Sequence, residues 1–331
     1  MPAVTKVLLA EPRGFCAGVE MAVKALAWMV ELYDPPVYCY HEIVHNRTVT
    51  RIFQQAGVVF VDDVDSVPPG APLMLSAHGS APEVVEAARR HGRTVVNAVC
   101  PLVTKVHHEV KVRSREGFDV VYVGHEGHDE AVGTMAVAPD SVRLVQTAAD
   151  VDALEDSGRP VALLAQTTLS LDDWAEVREA VERRFEKVWT PGRSDLCFAT
   201  TNRQMAVKAM ASLVDSIVVI GSRTSSNTDA LELVARNSQC PRVERIDTAQ
   251  DLPDDLGGIV GITSGASVPE QLVQEVIALL DPAEPPETVR ATTEDEYFPL
   301  PSALRELLAE VGLEANRATT ASSVLGRLAR R

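Results

Sequence analysis

Three cysteines stand at matched places along this chain: Cys16 in RGFCAG, Cys100 in NAVCPLVTK and Cys197 in SDLCFATTNRQ. Each follows a short apolar run and opens a stretch with helical spacing. Polar residues then recur at similar distances. His45 and His78 stand 29 and 62 residues after Cys16, His128 and Thr167 stand 28 and 67 after Cys100, and Ser225 and Ser267 stand 28 and 70 after Cys197. Between the two polar positions of each segment lies a plainer strand with similar text, VVFVDDVDSV, VRLVQTAADV and RVERIDTAQDL. Three thiols cannot all pair as disulfides. As thiolates they suit an iron–sulfur cluster or zinc. A structural zinc site usually shows close ligand pairs such as CxxC, which this chain lacks. Four irons on three cysteines would leave one iron open, able to bind a substrate oxygen as a Lewis acid and to pass electrons. Cys39 and Cys240 have no counterparts in the repeat and read as small buried hydrophobes.

The polar loops add a second chemistry. SRTSSN supplies Ser225, Ser226 and Asn227, and TSGAS supplies Gly265 and Ser267; His45 lies in HEIVHN and His78 in SAHGS. Hydroxyl, amide, backbone N–H and cationic imidazole donors are what a phosphate or diphosphate needs. The plainer alternative is a helix N-cap for SSN and structural roles for the histidines. GHEGHDEAVGT holds His125, Glu126, His128, Asp129 and Glu130, without the HExxH spacing of a metalloprotease. An acid such as Glu130 beside a histidine and the Thr167 hydroxyl can relay protons to a leaving hydroxyl. The alternative there is a solvated acidic helix start. Lys105, His107 and His108, just after Cys100, read as helix surface.

The elements that must position these residues alternate. Short β-branched runs at 6–10, 37–40, 58–61, 73–76, 120–124, 142–145, 161–165, 217–221 and 259–263 are separated by amphipathic stretches such as GVEMAVKALAWMVELY and LDDWAEVREAVERRF. This pattern predicts α/β lobes with mainly parallel sheets, with ligands beyond the carboxyl ends of the strands. At 331 residues, two or three domains are expected. Boundaries near Cys100 and Cys197 give three similar lobes: 14–99, 100–196, and 197–281 joined by strand 1–13. A pseudo-threefold arrangement around one central site is the economical reading. Segment 281–301 is acidic and Pro-rich and reads as a wrapping strap; a short helix near 302–311 and a mobile tail follow, and 282–331 is set apart as the C-terminal strap and tail. The net charge of −16 argues against nucleic-acid binding and requires local donors for any anionic ligand. No apolar run reaches the ~18 residues of a membrane span. The N-terminal stretch shows no signal pattern, and five cysteines form no dense framework, so a reducing cytoplasm is the expected location.

At these residues the sequence resembles the 4-hydroxy-3-methylbut-2-enyl diphosphate reductase family. The resemblance rests on PRGFCAGV, HEIVHNRTV, SAHGS, CPLVTKVH, GHEGHDEAVGTM, QTTLSLDDW, CFATTNRQ, GSRTSSNT and TSGAS, in order over about residues 6–281. It implies a three-lobed α/β fold around one [4Fe-4S] cluster per chain, with Cys16, Cys100 and Cys197 as ligands and one open iron facing the substrate hydroxyl. It implies that His45, His78, His128, Ser225, Ser226, Asn227 and Ser267 hold or surround the diphosphate. Glu130, with Thr167 and His128, would move protons to the departing oxygen. The implied reaction is a two-electron reductive dehydroxylation, the last step of the non-mevalonate isoprenoid pathway, giving isopentenyl and dimethylallyl diphosphates. The implied electron donor is a small ferredoxin or flavodoxin. Two departures stand out: Asp129 where the family pattern HPEVEGT has proline, and Ser264 where alanine is common. The chain also continues past the family-like FPLPSALR. Two other readings stay open on the residues alone: a non-catalytic redox or diphosphate sensor on the same scaffold, and a zinc hydrolase with three thiolate ligands.

Overall fold

The computed structural model describes residues 3–90, 94–192, 194–313 and 319–330. Its strands, in chain order, are β1 Val4–Glu11, β2 Val37–Tyr40, β3 Val58–Val61, β4 Leu73–Leu75, β5 Val95–Asn97, β6 Asp119–Val123, β7 Val142–Val145, β8 Val161–Ala165, β9 Val188–Trp189, β10 Ser216–Ile220, β11 Val243–Ile246, β12 Gly258–Ser264 and β13 Glu287–Arg290. They form three sheets, in the orders β11-β10-β12-β1-β13, β3-β2-β4-β5 and β7-β6-β8-β9. Every pairing is parallel. The protein is thus an α/β protein of three parallel-sheet lobes, as the alternating pattern predicts.

By contacts the chain divides into two compact units. The smaller holds the chain up to Ala17, His45–Arg47 and Cys197–Tyr297. Its five-stranded sheet is buried on both faces. Val7 and Leu9 of β1 point into one core with Val218, Ile220, Val260 and the Leu272, Val273 and Val276 side of helix Glu270–Leu280. Leu8 and Ala10 point the other way, against Val207 and Met210 of helix Phe198–Met210 and Leu231 and Val234 of helix Ser226–Arg236. Successive strand residues face opposite sides, so burial of both sides explains why Ile217–Ile220 is apolar without alternation. Each such side chain, fully buried, contributes about 1.5–3 kcal/mol.

The larger unit holds Gly18–Val44, Thr48–Leu196 and the chain from Phe298 onward, and so carries the other two sheets. Helix Pro101–Arg115 covers one face of the β6–β8 sheet through Val106 and Val110, and helix Leu171–Arg184 covers the other through Val177, Ala180 and Val181.

β1 pairs with β12 in parallel. Other expectations need correction. The strap is not only a wrapping segment: Glu287–Arg290 extends the sheet by pairing with β1, and Lys6 Nζ lies 2.7 Å from Glu287 Oε1. Helix Ser302–Glu310 forms where a short helix was expected. The end of the chain, expected to be mobile, carries helix Ala321–Leu328. Thr320 caps it by accepting from Ser323 N–H, and Glu20 accepts from the Ala321 N–H at 2.8 Å, placing a carboxylate at its positive end. Ala321, Val324, Leu325 and Leu328 are buried. The remainder of that expectation, 314–318 and 331, lies outside the described residues.

Candidate active site

The three repeated cysteines occupy equivalent local positions. Cys100 and Cys197 are the N-caps of helices Pro101–Arg115 and Phe198–Met210, with φ, ψ of −59°, 134° and −63°, 131°. Cys16 immediately precedes helix Ala17–Leu32. The Cys16 N–H donates to Ala266 O at 3.2 Å, and the Cys100 N–H donates to Ala77 O at 3.0 Å. All three are only partly buried, and no disulfide joins any of the five cysteines. A helix start favours an ionised sulfur, so this donor set fits a thiolate-bound cluster. Cys39 does not fit: it is sealed within β2, and burial pushes its thiol pKa up. Burial also raises that of Cys240, whose Sγ donates to Arg242 O at 3.2 Å. Cys16 and Cys197 belong to the smaller unit and Cys100 to the larger.

Within the larger unit, Glu130 is 2% exposed. It sits in the first turn of helix Asp129–Met135, whose N-cap is His128. Its two carboxylate oxygens meet one residue: Thr167 N–H donates to Oε1 at 2.7 Å and Thr167 Oγ1 to Oε2 at 2.9 Å. Burial pushes its pKa from 4.5 up to about 7, against the two Thr167 bonds, while the charge of Asp195 adds to the rise. A carboxyl so placed keeps its proton close to neutral pH, which removes the reading of this segment as a solvated acidic helix start. The Glu130 N–H donates to His128 Nδ1 at 3.2 Å, so a neutral His128 carries its proton on Nε2. The rings of His78 and His128 meet edge to face with centroids 6.1 Å apart. Buried Gln166 holds the loop, its Oε1 accepting from His125 N–H at 2.9 Å while Nε2 donates to Thr168 Oγ1 at 2.8 Å.

This arrangement depends on two glycines. Gly79, beside His78, has φ +86°, and a Cβ there would stand 2.8 Å from Val103 Cγ1 and 3.2 Å from His107 Cε1. A Cβ on Gly133, in the helix of Glu130, would stand 3.1 Å from Gly79 O. The His78 loop therefore lies directly against both helices. Lys105 and His107 depart from the surface reading. Lys105 Nζ lies 3.2 Å from Oδ1 of Asp195, which is itself buried, and burial lowers the His107 pKa to about 4.

In the smaller unit Ser225, Ser226, Asn227 and Ser267 are all nearly buried. Ser225 is the N-cap of helix Ser226–Arg236 and accepts from Thr228 N–H, so the plain capping role holds for it. Asn227 ties segments together: its Oδ1 accepts from Ala266 N–H at 2.8 Å and its Nδ2 donates to Thr200 Oγ1 at 3.2 Å. Ser267 Oγ donates to His45 O at 3.0 Å, bringing these two predicted residues together. Gly265 lacks a Cβ because one would fall on Thr228 Oγ1.

Sequence reasoning assigned no role to Arg203 of the CFATTNRQ motif. It is 1% exposed and donates to Gly14 O at 2.7 and 3.2 Å, to Ala199 O at 2.8 Å and to Glu294 at 3.0 and 3.1 Å. It thus fixes the loop before Cys16 to the helix that starts after Cys197. Its only signal was an arginine in a helix otherwise poor in charge.

Parallel α/β lobes with cysteines at helix starts, and a buried carboxyl that holds its proton near neutral pH, make up an α/β protein equipped for acid–base chemistry. Residues 7–281 match the LytB protein family. A Rhodopirellula baltica protein, 4-hydroxy-3-methylbut-2-enyl diphosphate reductase, is 46% identical over 92% of this chain and 97% of its own length. An Acidothermus cellulolyticus protein of the same name is 43% identical over 96% and 95%. A solved structure of the E-1-hydroxy-2-methyl-but-2-enyl-4-diphosphate reductase from Plasmodium falciparum superposes with a TM-score of 0.87, at 32% identity, over 94% of this chain and 100% of that one. The chain belongs to the LytB family of 4-hydroxy-3-methylbut-2-enyl diphosphate reductases.

Proposed function

We propose that this protein reduces (E)-4-hydroxy-3-methylbut-2-enyl diphosphate to isopentenyl and dimethylallyl diphosphates, as the last step of the non-mevalonate pathway. The C–O bond to the hydroxyl breaks, two electrons and two protons enter, and water leaves. A [4Fe-4S] cluster held by Cys16, Cys100 and Cys197, with one iron free of protein ligands, would supply the electrons and a Lewis-acid position for the leaving oxygen. A reducing cytoplasm suits such ligands, and a ferredoxin or flavodoxin would be the donor. The three lobes behind this reading are residues 14–99, 100–196 and 197–281 with strand 1–13.

The protein's own groups divide the remaining work. His45, His78, Ser225, Ser226, Asn227 and Ser267 bind and orient the diphosphate. Glu130 carries the proton for the departing oxygen, and Thr167 holds its carboxyl in one orientation. His128, with its proton on Nε2, donates to the substrate side. The observation that carries this assignment is the buried Glu130 clamped at both oxygens by Thr167, with its pKa near 7. A binding protein has no need of a proton donor held so closely.

The test is substrate-dependent oxidation of reduced methyl viologen by anaerobically prepared, cluster-loaded protein. Turnover should require the substrate, decline as pH rises through about 7 with loss of the Glu130 proton, and fall by about 10²–10⁴-fold in Glu130→Gln. A fully loaded protein that binds the diphosphate without oxidising the dye would be a sensor instead.

A further inference from the structure

We propose that the groove between helices Pro82–Arg89 and Pro101–Arg115 is a second ligand site, for a small organic phosphate with a short apolar body. Its volume is about 430 Å³, within the ~300–1,000 Å³ usual for small-molecule sites. Thr104, His107, His108 and Lys111 line it from one helix, and Pro82, Val85, Glu86 and Arg89 line it from the other. Both sets follow the spacing i, i+3, i+4, i+7, so each helix turns one continuous face to the groove. The whole lining belongs to the larger unit. His78, His128, Glu130 and Thr167 do not line it, which separates it from the site described above.

Charge and donors select the ligand. The chain carries a net charge of −16, yet this groove offers Arg89 and Lys111 against one carboxylate, Glu86. Both cations are exposed. Among the described residues neither is in an ion pair, whereas Lys105 and Arg113 of the same helix pair with Asp195, Glu109 and Glu116. A guanidinium and an ammonium facing one groove suit a phosphate head. Exposed His108 adds an imidazole. Asn97, at the end of β5, accepts from the Val99 N–H through Oδ1 at 3.0 Å, which leaves its Nδ2 as a further donor. Thr104 plays no such part, because its hydroxyl already donates to Cys100 O at 3.3 Å. His107 adds no charge at neutral pH, since burial holds its pKa near 4. Val85, Val99 and Val137 give the groove an apolar wall, so a bare anion would leave part of it unfilled.

The experiment is calorimetric titration of butyl phosphate into the cluster-loaded full chain, in wild-type, Arg89→Gln/Lys111→Gln and His78→Ala forms. Wild type should show a site that the double variant weakens about tenfold or more and that His78→Ala leaves unchanged. Inorganic phosphate, which has the head without the body, should bind that site about tenfold more weakly than butyl phosphate. Arg89 and Lys111 are exposed, so both proteins should share one denaturation curve, and the weaker Kd then reports lost ligand contacts. No binding to wild type, or binding that the double variant keeps in full, would overturn the proposal. Binding lost in His78→Ala but kept in the double variant would put the ligand in the diphosphate site and overturn it equally. Turnover plays no part in this readout, so a chain that fails to oxidise the dye but binds as expected would sink the reductase reading and keep the second site.

Discussion

Glu130 sits where its charged form is poorly solvated, and that has a thermodynamic consequence as well as a catalytic one. An ordinary glutamate loses its proton near 4.5 and this one near 7. Between those values the native chain keeps a proton that the unfolded chain releases. Native stability therefore decreases as pH rises across that window and is lowest above about 7. Glu130→Gln keeps the shape and can still accept from Thr167 N–H, but carries no charge to desolvate. It should resist denaturant better than wild type at pH 8, by roughly 3 kcal/mol at one pKa unit per 1.36 kcal/mol. At pH 4.5 the two should agree. A variant less stable than wild type at pH 8 would mean that the Thr167 hydrogen bonds outweigh the burial.

The helix Asp129–Met135 is held to the His78 loop by the absence of side chains at Gly79 and Gly133. Alanine normally favours a helix over glycine by about 0.8–1 kcal/mol. At Gly133 the new methyl would press on the backbone of Gly79 rather than on a yielding side chain. Gly133→Ala should therefore raise KM several-fold by displacing His78, without the usual gain in stability; steady-state kinetics and a denaturation curve on one preparation decide. Such a contact is invisible in sequence, where Gly133 is one glycine in GHDEAVGT. What was legible were elements with a strong local signal. The runs at 37–40, 58–61, 142–145 and 161–165 are rich in valine, leucine or aromatic residues, start after Pro, Gly or Ser, stop at a polar residue, and form strands over those same residues. β5 and β9 are too short to show a period. β13 reads ETVR, mostly exposed, and becomes a strand only because β1 offers it an edge. The cysteine positions were legible because a repeat compares itself. Arg203 and His41 were not, since burial of a charge and a left-handed backbone are set by distant partners.

Across the whole chain, Arg203 joins three distant stretches: Gly14 near the start, its own helix, and Glu294 in the strap. Removing one partner of a buried pair leaves the other charge uncompensated. Glu294→Gln should lower stability by about 3 kcal/mol and loosen the Cys16 loop; guanidinium unfolding of the variant measures the first and iron retention after gel filtration the second. If stability is unchanged, the Gly14 and Ala199 carbonyls alone satisfy the guanidinium.

The strand order β11-β10-β12-β1-β13 also sets a clock. β1 is made first, yet both of its neighbours, Gly258–Ser264 and Glu287–Arg290, are made near the end. At about 5–20 residues per second on the ribosome, Val4–Glu11 waits on the order of ten seconds to a minute before its sheet can close. During that time an apolar strand with two bare edges is exposed to other chains. Val4–Glu11 is thus made long before the two strands that flank it and is among the last strands able to fold.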